Sequence, residues 1–445
     1  MNPLPLFPPL SPESRRFLDG LEGLIDTVFP MPKKFRPSLP KDVAELSRLL
    51  TSGRGDRKAA YPGQPKFLSA YLRYFLPWNL YRLCRLLPAL PLSLRSGDAL
   101  VDLGSGPLTF AAALWISRPD VRNLSLEFRC VDQAGAVLEA GKELFAALGG
   151  GSCLWKIKTV RAAIGPALSG GRGPALYGPP ARLVSAVNFF NELYEDIPRR
   201  GPAGLSGFAD RAARFLSSLT AADGSLLIVE PGVPRSGEFI AALRTALLDR
   251  GRPPAAPCPH GETCPCPGGA GSARPGGKGR WCHFAFDTAG AAGALRKLSA
   301  AAGIPKERAA LSFLYSGPVL SGGGAGKGET AVGNTAAGNT AGKGETAAAS
   351  LALPVRIISD PFPVHSGGRG GGNRGGAGVT AAAFGRYGCC EKGLVLIRGS
   401  GEQIAGYESG ALAEFAVQGT EGRDPKSGAL VIDHELSGQN SPFCL

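Results

Sequence analysis

Ala99-Leu100-Val101-Asp102-Leu103-Gly104-Ser105-Gly106-Pro107-Leu108 is an apolar run that ends in two closely spaced glycines and leads into a helical pattern, Thr109 to Ser117. A short apolar run stopped by glycine reads as a buried strand, and glycine permits the sharp turn that brings backbone up to a ligand. The next apolar run, Glu127 to Asp132, ends on a carboxylate, which can accept both hydroxyls of a ribose. Strand, glycine turn, helix, strand and acid in this order point to an adenosyl cofactor.

The same alternation continues outward from this unit. Lys156 to Val160, Leu183 to Asn188 and Ser225 to Glu230 read as strands, and Ala134 to Leu148, Phe208 to Leu219 and Gly237 to Leu248 as helices. That pattern predicts an α/β fold with a parallel, doubly wound sheet over residues 98–250. Gly165 to Pro180 is rich enough in Gly and Pro to predict a loop. Residues 1–97 read as a basic helical region. From Arg54 to Arg95 eight Lys/Arg face one acid, Asp56, and aromatics from Tyr61 to Tyr81 are interleaved with them. Cations neutralise phosphates and exposed rings stack on unpaired bases, so Arg54, Arg57, Lys58 and Lys66 are candidate RNA contacts. The other reading of the rings is that they pack a helical cap onto the sheet.

The net charge of +13 favours an anionic partner. The first residues lack the charged and apolar regions of a secretory signal, and no uncharged apolar run reaches 18 residues, so neither a membrane partner nor a membrane span is expected. Ten Cys without a signal read as reduced thiols and ligands in a cytoplasmic chain. Cys258, Cys264 and Cys282 sit in Pro257-Cys258-Pro259-His260-Gly261-Glu262-Thr263-Cys264-Pro265 and Trp281-Cys282-His283-Phe284, with Cys389 further on. Thiolates grouped among prolines suit a metal or an iron–sulfur cluster better than an apolar core. The spacing is unlike a zinc ribbon, although zinc with His260 or His283 as a fourth ligand stays open. Nor is it the compact three-cysteine loop of a radical enzyme.

Beyond 250, Gly322 to Ala349 repeats itself and Ser366 to Thr380 is a Gly/Arg-rich tract, neither able to offset its ordering entropy by burial. Leu311 to Leu320, Leu353 to Ile358 and Leu394 to Arg398 read as strands. The expected organisation is therefore four parts. They are a helical basic region (1–97), an α/β domain (98–250), a cysteine-rich β unit with inserts at 322–349 and 366–380 (251–400), and a tail (401–445).

Asp102-Leu103-Gly104-Ser105-Gly106 resembles the first motif of class I methyltransferases, which bind S-adenosylmethionine. The resemblance implies that Asp102, Gly104, Ser105 and Gly106 lie near the methionine moiety, that Asp132 holds the ribose, and that Asn188, at the end of the fourth strand, faces the transferred methyl group. Leu108 departs from the pattern, which usually carries a third glycine there, and is expected to crowd the cofactor. With Asn191-Glu192-Leu193, Val229-Glu230-Pro231-Gly232-Val233-Pro234-Arg235, Cys258-Pro259-His260 and Trp281-Cys282-His283-Phe284 in that order, residues 55 to 400 resemble the Rsm-twenty-two family of methyltransferase-like small-ribosomal-subunit assembly factors.

That resemblance implies a class I methyltransferase core, S-adenosylmethionine, a 4Fe-4S cluster in a small β-rich unit, and small-subunit rRNA as partner. The ligands it implies are Cys258, Cys264, Cys282 and Cys389, the last because the family places its final ligand four residues before the glycine that turns into the next strand. Cys390 is the alternative, and Cys266 is an extra thiol without an assigned role. A monomeric assembly factor is the first functional expectation and an active rRNA methyltransferase the second. No catalytic residue is singled out.

Overall fold

The computed structural model describes residues 5–51, 64–168, 178–194, 197–198, 204–266, 280–319, 351–364, 384–417 and 421–434. Arg54, Arg57, Lys58 and both low-complexity tracts lie outside the described residues. The chain begins with helices α1 (Pro12–Val28), α2 (Leu39–Thr51), α3 (Pro65–Ala70) and α4 (Leu76–Leu86), the last two joined through a π turn over Tyr71–Phe75. The Ser11 hydroxyl starts α1 by accepting the Ser14 N–H at 3.0 Å, which satisfies one of the free donors of the first turn.

Next come β1 (Ala99–Leu103), α5 (Thr109–Ser117), β2 (Glu127–Asp132), α6 (Gly135–Gly149), β3 (Lys156–Arg161), the single turn α7 (Gly165–Leu168), β4 (Ala181–Val187), α8 (Leu205–Leu219), β5 (Thr220–Pro231) and α9 (Pro234–Leu248). Then follow β6 (Pro254–Ala256), β7 (Phe284–Asp287), α10 (Gly293–Ala301) and β8 (Arg308–Ser316). These strands form one sheet in the order β3-β2-β1-β4-β5-β8-β6, with β7 also on β8. The first five strands pair in parallel, and β8 runs antiparallel to β5, β6 and β7.

Side chains alternate across this sheet as strand geometry requires. Leu100 packs into the core shared with α1 and α4 to α6, whereas Val101 and Leu103 pack into the core under α8 and α9. The sheet is thus covered on both faces, as the apolar runs predict. Short βα loops on a parallel sheet place the end of β1, the end of β2 and the end of β4 side by side.

A second sheet holds β9 (Leu351–Ile357), β10 (Phe362–Pro363), β11 (Phe384–Cys390), β12 (Gly393–Gly399), β13 (Leu412–Val417) and β14 (Leu430–Asp433), with α11 (Gly401–Ala405) between β12 and β13. Its order is β13-β9-β11-β12-β14, with β10 on β11. Sheet membership does not follow the expected boundaries. β6 to β8, beyond residue 250, complete the first sheet, and β13 and β14, beyond 400, complete the second.

Four of the interleaved rings of the helical region do not face solvent. Phe67, Tyr74, Trp78 and Tyr81 are buried. Trp78 Nε1 donates to Ser299 Oγ at 3.1 Å and the Tyr81 hydroxyl to the Asp287 carbonyl at 2.9 Å. The cap reading of the rings holds for these four: all are buried, and Tyr74, Trp78 and Tyr81 reach α10 or its flanking loops from helix-spaced positions. The cations are partly spent as well: Arg73 pairs with Asp26 at 2.7 Å and Lys66 with Glu45 at 2.9 Å. Acids from α1 and α2 thus balance a segment that looks unopposed when read linearly.

Candidate functional site

The glycine turn builds a cleft of about 440 Å³ at the ends of β1, β2 and β4. Gly104 has φ +65°, and a Cβ there would stand 2.4 Å from the Phe189 ring, so only glycine fits. Gly106 has φ +51° and donates its N–H to Asp132 Oδ2 at 2.9 Å. The other carboxylate oxygen of Asp132 accepts the Ala134 N–H at 2.8 Å. Asp132 therefore ties the turn to the next helix while lining the cleft, and each oxygen keeps a lone pair for a ligand hydroxyl. Burial raises its carboxyl above the usual range.

Gly104, Gly106, Asp132 and Asn188 line the cleft, whereas Asp102 and Ser105 do not. The Ser105 hydroxyl turns back to the Asp102 carbonyl at 2.7 Å. Asp102 lies under the turn and accepts Ser185 Oγ at 2.6 Å, and its Oδ2 has no partner among the described residues. Burial pushes its carboxyl up to about 7, with the Ser185 hydrogen bond working the other way. Both residues brace the turn from below.

Leu108 does not crowd the cleft. Its φ of +56° is left-handed, a strain of about 1 kcal/mol for a side chain with a Cβ, and it directs the leucine beneath the turn into full burial against α6. Gly141 of α6 makes that possible: a Cβ there would lie 2.4 Å from the Pro107 carbonyl carbon and 2.8 Å from Leu108 Cδ1. Gly141→Ala is accordingly expected to displace the turn and weaken ligand binding at least about tenfold, although Gly141 touches no cleft space. Unchanged affinity by calorimetry would show the turn to be tolerant.

Tyr71 and Phe189 also line the cleft and were missed in the sequence, and Glu192, which the sequence offers within the Asn191-Glu192-Leu193 motif without an assigned role, lines it too. Tyr71 arrives from the π turn of the helical cap. Its phenol is raised, by burial first and then by Glu192 and Asp132 nearby. No local motif marks it. Glu230, in turn, is fully buried and accepts the Phe190 and Asn191 N–H groups at 2.9 and 3.0 Å, which fixes the loop that carries the far wall of the cleft. Burial pushes Glu230 up to about 8.

The second site is a small apolar cavity between α9, β8 and β11. Cys258, Cys264, Cys266, Cys282 and Cys389 all line it. The alternation of β11 separates its two thiols: Cys389 faces this cavity, while Cys390 is buried in the core of the second sheet with Sγ 3.5 Å from the Gly393 carbonyl. Arg244 Nε donates to Cys258 Sγ at 3.2 Å, and its Nη2 to the His260 carbonyl at 2.8 Å. His260 Nε2 lies 3.2 Å from Cys389 Sγ. Arg356 anchors on the Pro257 and Gly410 carbonyls, close enough to Cys258, Cys282 and Cys389 to interact with their charge. Burial raises the thiols, Cys266 to about 12.

Among the described residues no set of three or more His, Cys, Asp or Glu stands close enough to hold a metal ion as placed. The donor chemistry nevertheless suits a thiolate-bound group: five soft donors in a dry pocket, with two guanidiniums to offset thiolate charge. His283 turns away, stacked on Trp281 at 4.9 Å with Nδ1 3.3 Å from the Trp281 carbonyl. The two motif segments meet here. Trp281 Nε1 reaches the Gly232 carbonyl at 3.4 Å, and Gly237 leaves room for its ring, since a Cβ would stand 2.6 Å from Trp281 Cβ.

No curated protein matches the chain. Among solved structures it is similar to YjhP from E. coli, at 11% identity over 61% of this chain and 99% of that one, with a TM-score of 0.30. A SAM-dependent methyltransferase from Geobacter sulfurreducens in complex with S-adenosyl-L-homocysteine gives 11%, 62%, 98% and 0.30. One from Thiobacillus denitrificans, also in complex with S-adenosyl-L-homocysteine, gives 12%, 65%, 99% and 0.30. At that score the likenesses carry no argument, and the class I methyltransferase-like α/β fold is read from the mixed sheet and its glycine turn. The family whose model matches covers residues 204–314, from the start of α8 into β8, with Glu230, Gly232, Cys258, Cys264 and Cys282 inside it. The family that the motifs resemble and the family that this part of the chain matches are therefore one and the same, described as mitochondrial small ribosomal subunit Rsm22.

Proposed function

We infer that this chain is an assembly factor of the small ribosomal subunit that binds rRNA, carries a 4Fe-4S cluster on Cys258, Cys264, Cys282 and Cys389, and holds S-adenosylmethionine in the glycine-turn cleft. The observation that carries the reading is the convergence, on one cavity, of thiols from three distant segments, two of them within the family-matched residues. A cluster bound there would join the loop after β6, the loop before β7 and strand β11 of the second sheet. Arg244 and Arg356 would balance its charge, and His260 would hydrogen-bond the Cys389 sulfur. The role assigned to the cluster is structural, since its cavity shares no lining residue with the cleft. The compartment is the cytoplasm or, following the family's description, the mitochondrial matrix.

In the cleft, Asp132 would accept the ribose hydroxyls, the Gly104–Gly106 turn would take the methionine end, and Asn188 would mark the acceptor side. Bound S-adenosylmethionine supplies an electrophilic methyl group. A second reading, an active rRNA methyltransferase, is favoured by the burial of Leu108 under α6, which leaves the cleft free for that ligand. Comparing rRNA methylation and subunit profiles in cells with and without the protein separates the two. A subunit defect with every methyl mark intact supports the assembly factor, and loss of one mark supports the enzyme.

RNA affinity should fall steeply with salt, because each neutralised phosphate releases counterions. Neutralising Arg54, Arg57, Lys58 and Lys66 together is expected to lower the logarithmic salt slope by about 2 to 3. Lys66 alone should contribute little, since Glu45 already pairs with it. Wild-type co-sedimentation of the quadruple variant with small subunits across a salt series would place the RNA surface elsewhere.

A further inference from the structure

Within the basic segment, Arg82 is placed unlike its neighbours. Arg73 and Lys66 have carboxylate partners, and Arg85 donates to the Phe7 carbonyl at 2.8 Å. Arg82 makes one side-chain hydrogen bond among the described residues, Nη1 to Asn79 Oδ1 at 2.9 Å, where Arg85 makes two; the Nε of each is buried without a partner, and no carboxylate pairs with Arg82 among the described residues. Lys306, from the loop after α10, comes to the same place. Its Nζ stands 5.8 Å from the centroid of the Tyr74 ring and 5.7 Å from that of Trp78, again with no carboxylate partner among the described residues. Both side chains are half-buried and keep access to solvent.

Lys306 against this wall of rings and Arg82, one helical turn beyond Trp78, repel each other and are poorly hydrated. Burial, and then Arg82, push the Lys306 ammonium down to about 7, and burial pushes Arg82 down to about 10. The other titratable group facing them is Tyr74, whose phenol burial raises. The ring faces return part of the cost, but they leave an uncompensated positive centre with unused donors. A tetrahedral oxyanion supplies what is missing: acceptors for the guanidinium edge and a counter-charge for the ammonium.

We propose that Arg82 and Lys306 form a phosphate-binding site on the wall made by Tyr74 and Trp78. Asn79, which accepts from Arg82, stands near enough to Tyr71 of the cleft lining to influence its phenol. A phosphate held here would sit on the same helical cap that lends Tyr71 to the cleft, so that an RNA backbone bound to it could lead a nucleotide toward the cleft. The phosphoryl group could belong to such a backbone or to a free nucleotide, and the chemistry of capture is the same.

The test is pulse acetylation of the intact protein at neutral pH, read peptide by peptide by mass spectrometry, with exposed Lys66 as internal reference. Inorganic phosphate, added against chloride of equal ionic strength, should slow labelling of Lys306 about fourfold at three times its dissociation constant, as mass action requires for one site, and leave Lys66 unchanged. Arg82→Gln should lose this protection and Arg82→Lys should keep part of it. Protection by a single-stranded oligonucleotide lacking terminal phosphates identifies a backbone site, whereas protection by phosphate and nucleoside monophosphates alone identifies a free-phosphate site. Lys306 labelling that ignores phosphate in the wild-type protein overturns the proposal, as does undiminished protection in Arg82→Gln. Because inorganic phosphate alone decides it, the result is independent of whether the chain acts on ribosomes.

Discussion

Cys282→Ser is expected to bleach the protein and loosen the attachment of the second sheet. Protein purified without oxygen should be brown, with a broad absorption near about 400 nm and about four irons per chain. Cys258→Ser, Cys264→Ser, Cys282→Ser and Cys389→Ser should each lose most of that iron. Cys390→Ser should keep its colour, because its thiol points into the other core. The neighbouring pair Cys389 and Cys390 thus makes an internal control: equal iron loss from both would contradict the register of β11. A colourless protein with one zinc per chain would defeat the cluster itself. Cys266→Ser separates four ligands from five, since the thiol lines the cavity and iron content should survive its removal if it is a bystander.

Glu230→Ala should cost about 3 to 5 kcal/mol, since it leaves two buried N–H groups without acceptors and opens a void beneath the cleft wall. Chemical denaturation measures this directly, and a loss under about 1 kcal/mol would mean that water replaces the carboxylate. The pH dependence has a definite sign. Burial raises the folded value of Glu230 from 4.5 to about 8, so the folded state holds a proton that the unfolded chain has released. The associated stability is fully present below pH 4.5 and is lost as pH rises through 8. Asp102, raised from 3.8 to about 7, acts in the same direction. Asp26, Asp120 and Glu127 are shifted the other way, so their contributions are lost only at the acid end. Wild-type stability should therefore fall from weakly acid to weakly alkaline pH, and Glu230→Gln should flatten part of that slope. A wild-type profile that rises over this window would show Glu230 to be ionised in the fold.

How much of this could be read beforehand depended on the kind of signal. β1, β2 and α5 fall where the apolar runs place them, because fully buried parallel strands are uninterrupted and glycine or proline stops them sharply. β6 and β7 were missed, being too short for a period to show. β8 was legible as a strand but not as a member of the first sheet, since an antiparallel partner arriving late in the chain leaves no local trace. Gly104, Gly106 and Asp132 carried the cleft through an ordered pattern of strand, glycine turn, helix, strand and acid. Tyr71 did not, because its place follows from how a helix docks. Leu108 was misjudged for a related reason: a residue type suggests crowding, but the sign of φ decides which way the side chain points.

Phe7 lies among Phe284, Phe286 and Phe313, with ring centroids 5.5, 5.0 and 6.2 Å away, and presses on Gly410, where a Cβ would stand 2.8 Å from its ring. Phe7 therefore waits for a partner some 400 residues downstream. At about 5 to 20 residues per second, ribosomes need roughly 20 to 80 seconds to deliver it. During that interval Leu6, Phe7 and Leu10 are an apolar segment without a home, a natural ligand for a chaperone that meets nascent chains. A release factor trap or a stalled message truncated before Gly410 should yield a chain that chaperones retain, while the same chain extended past β14 lets go.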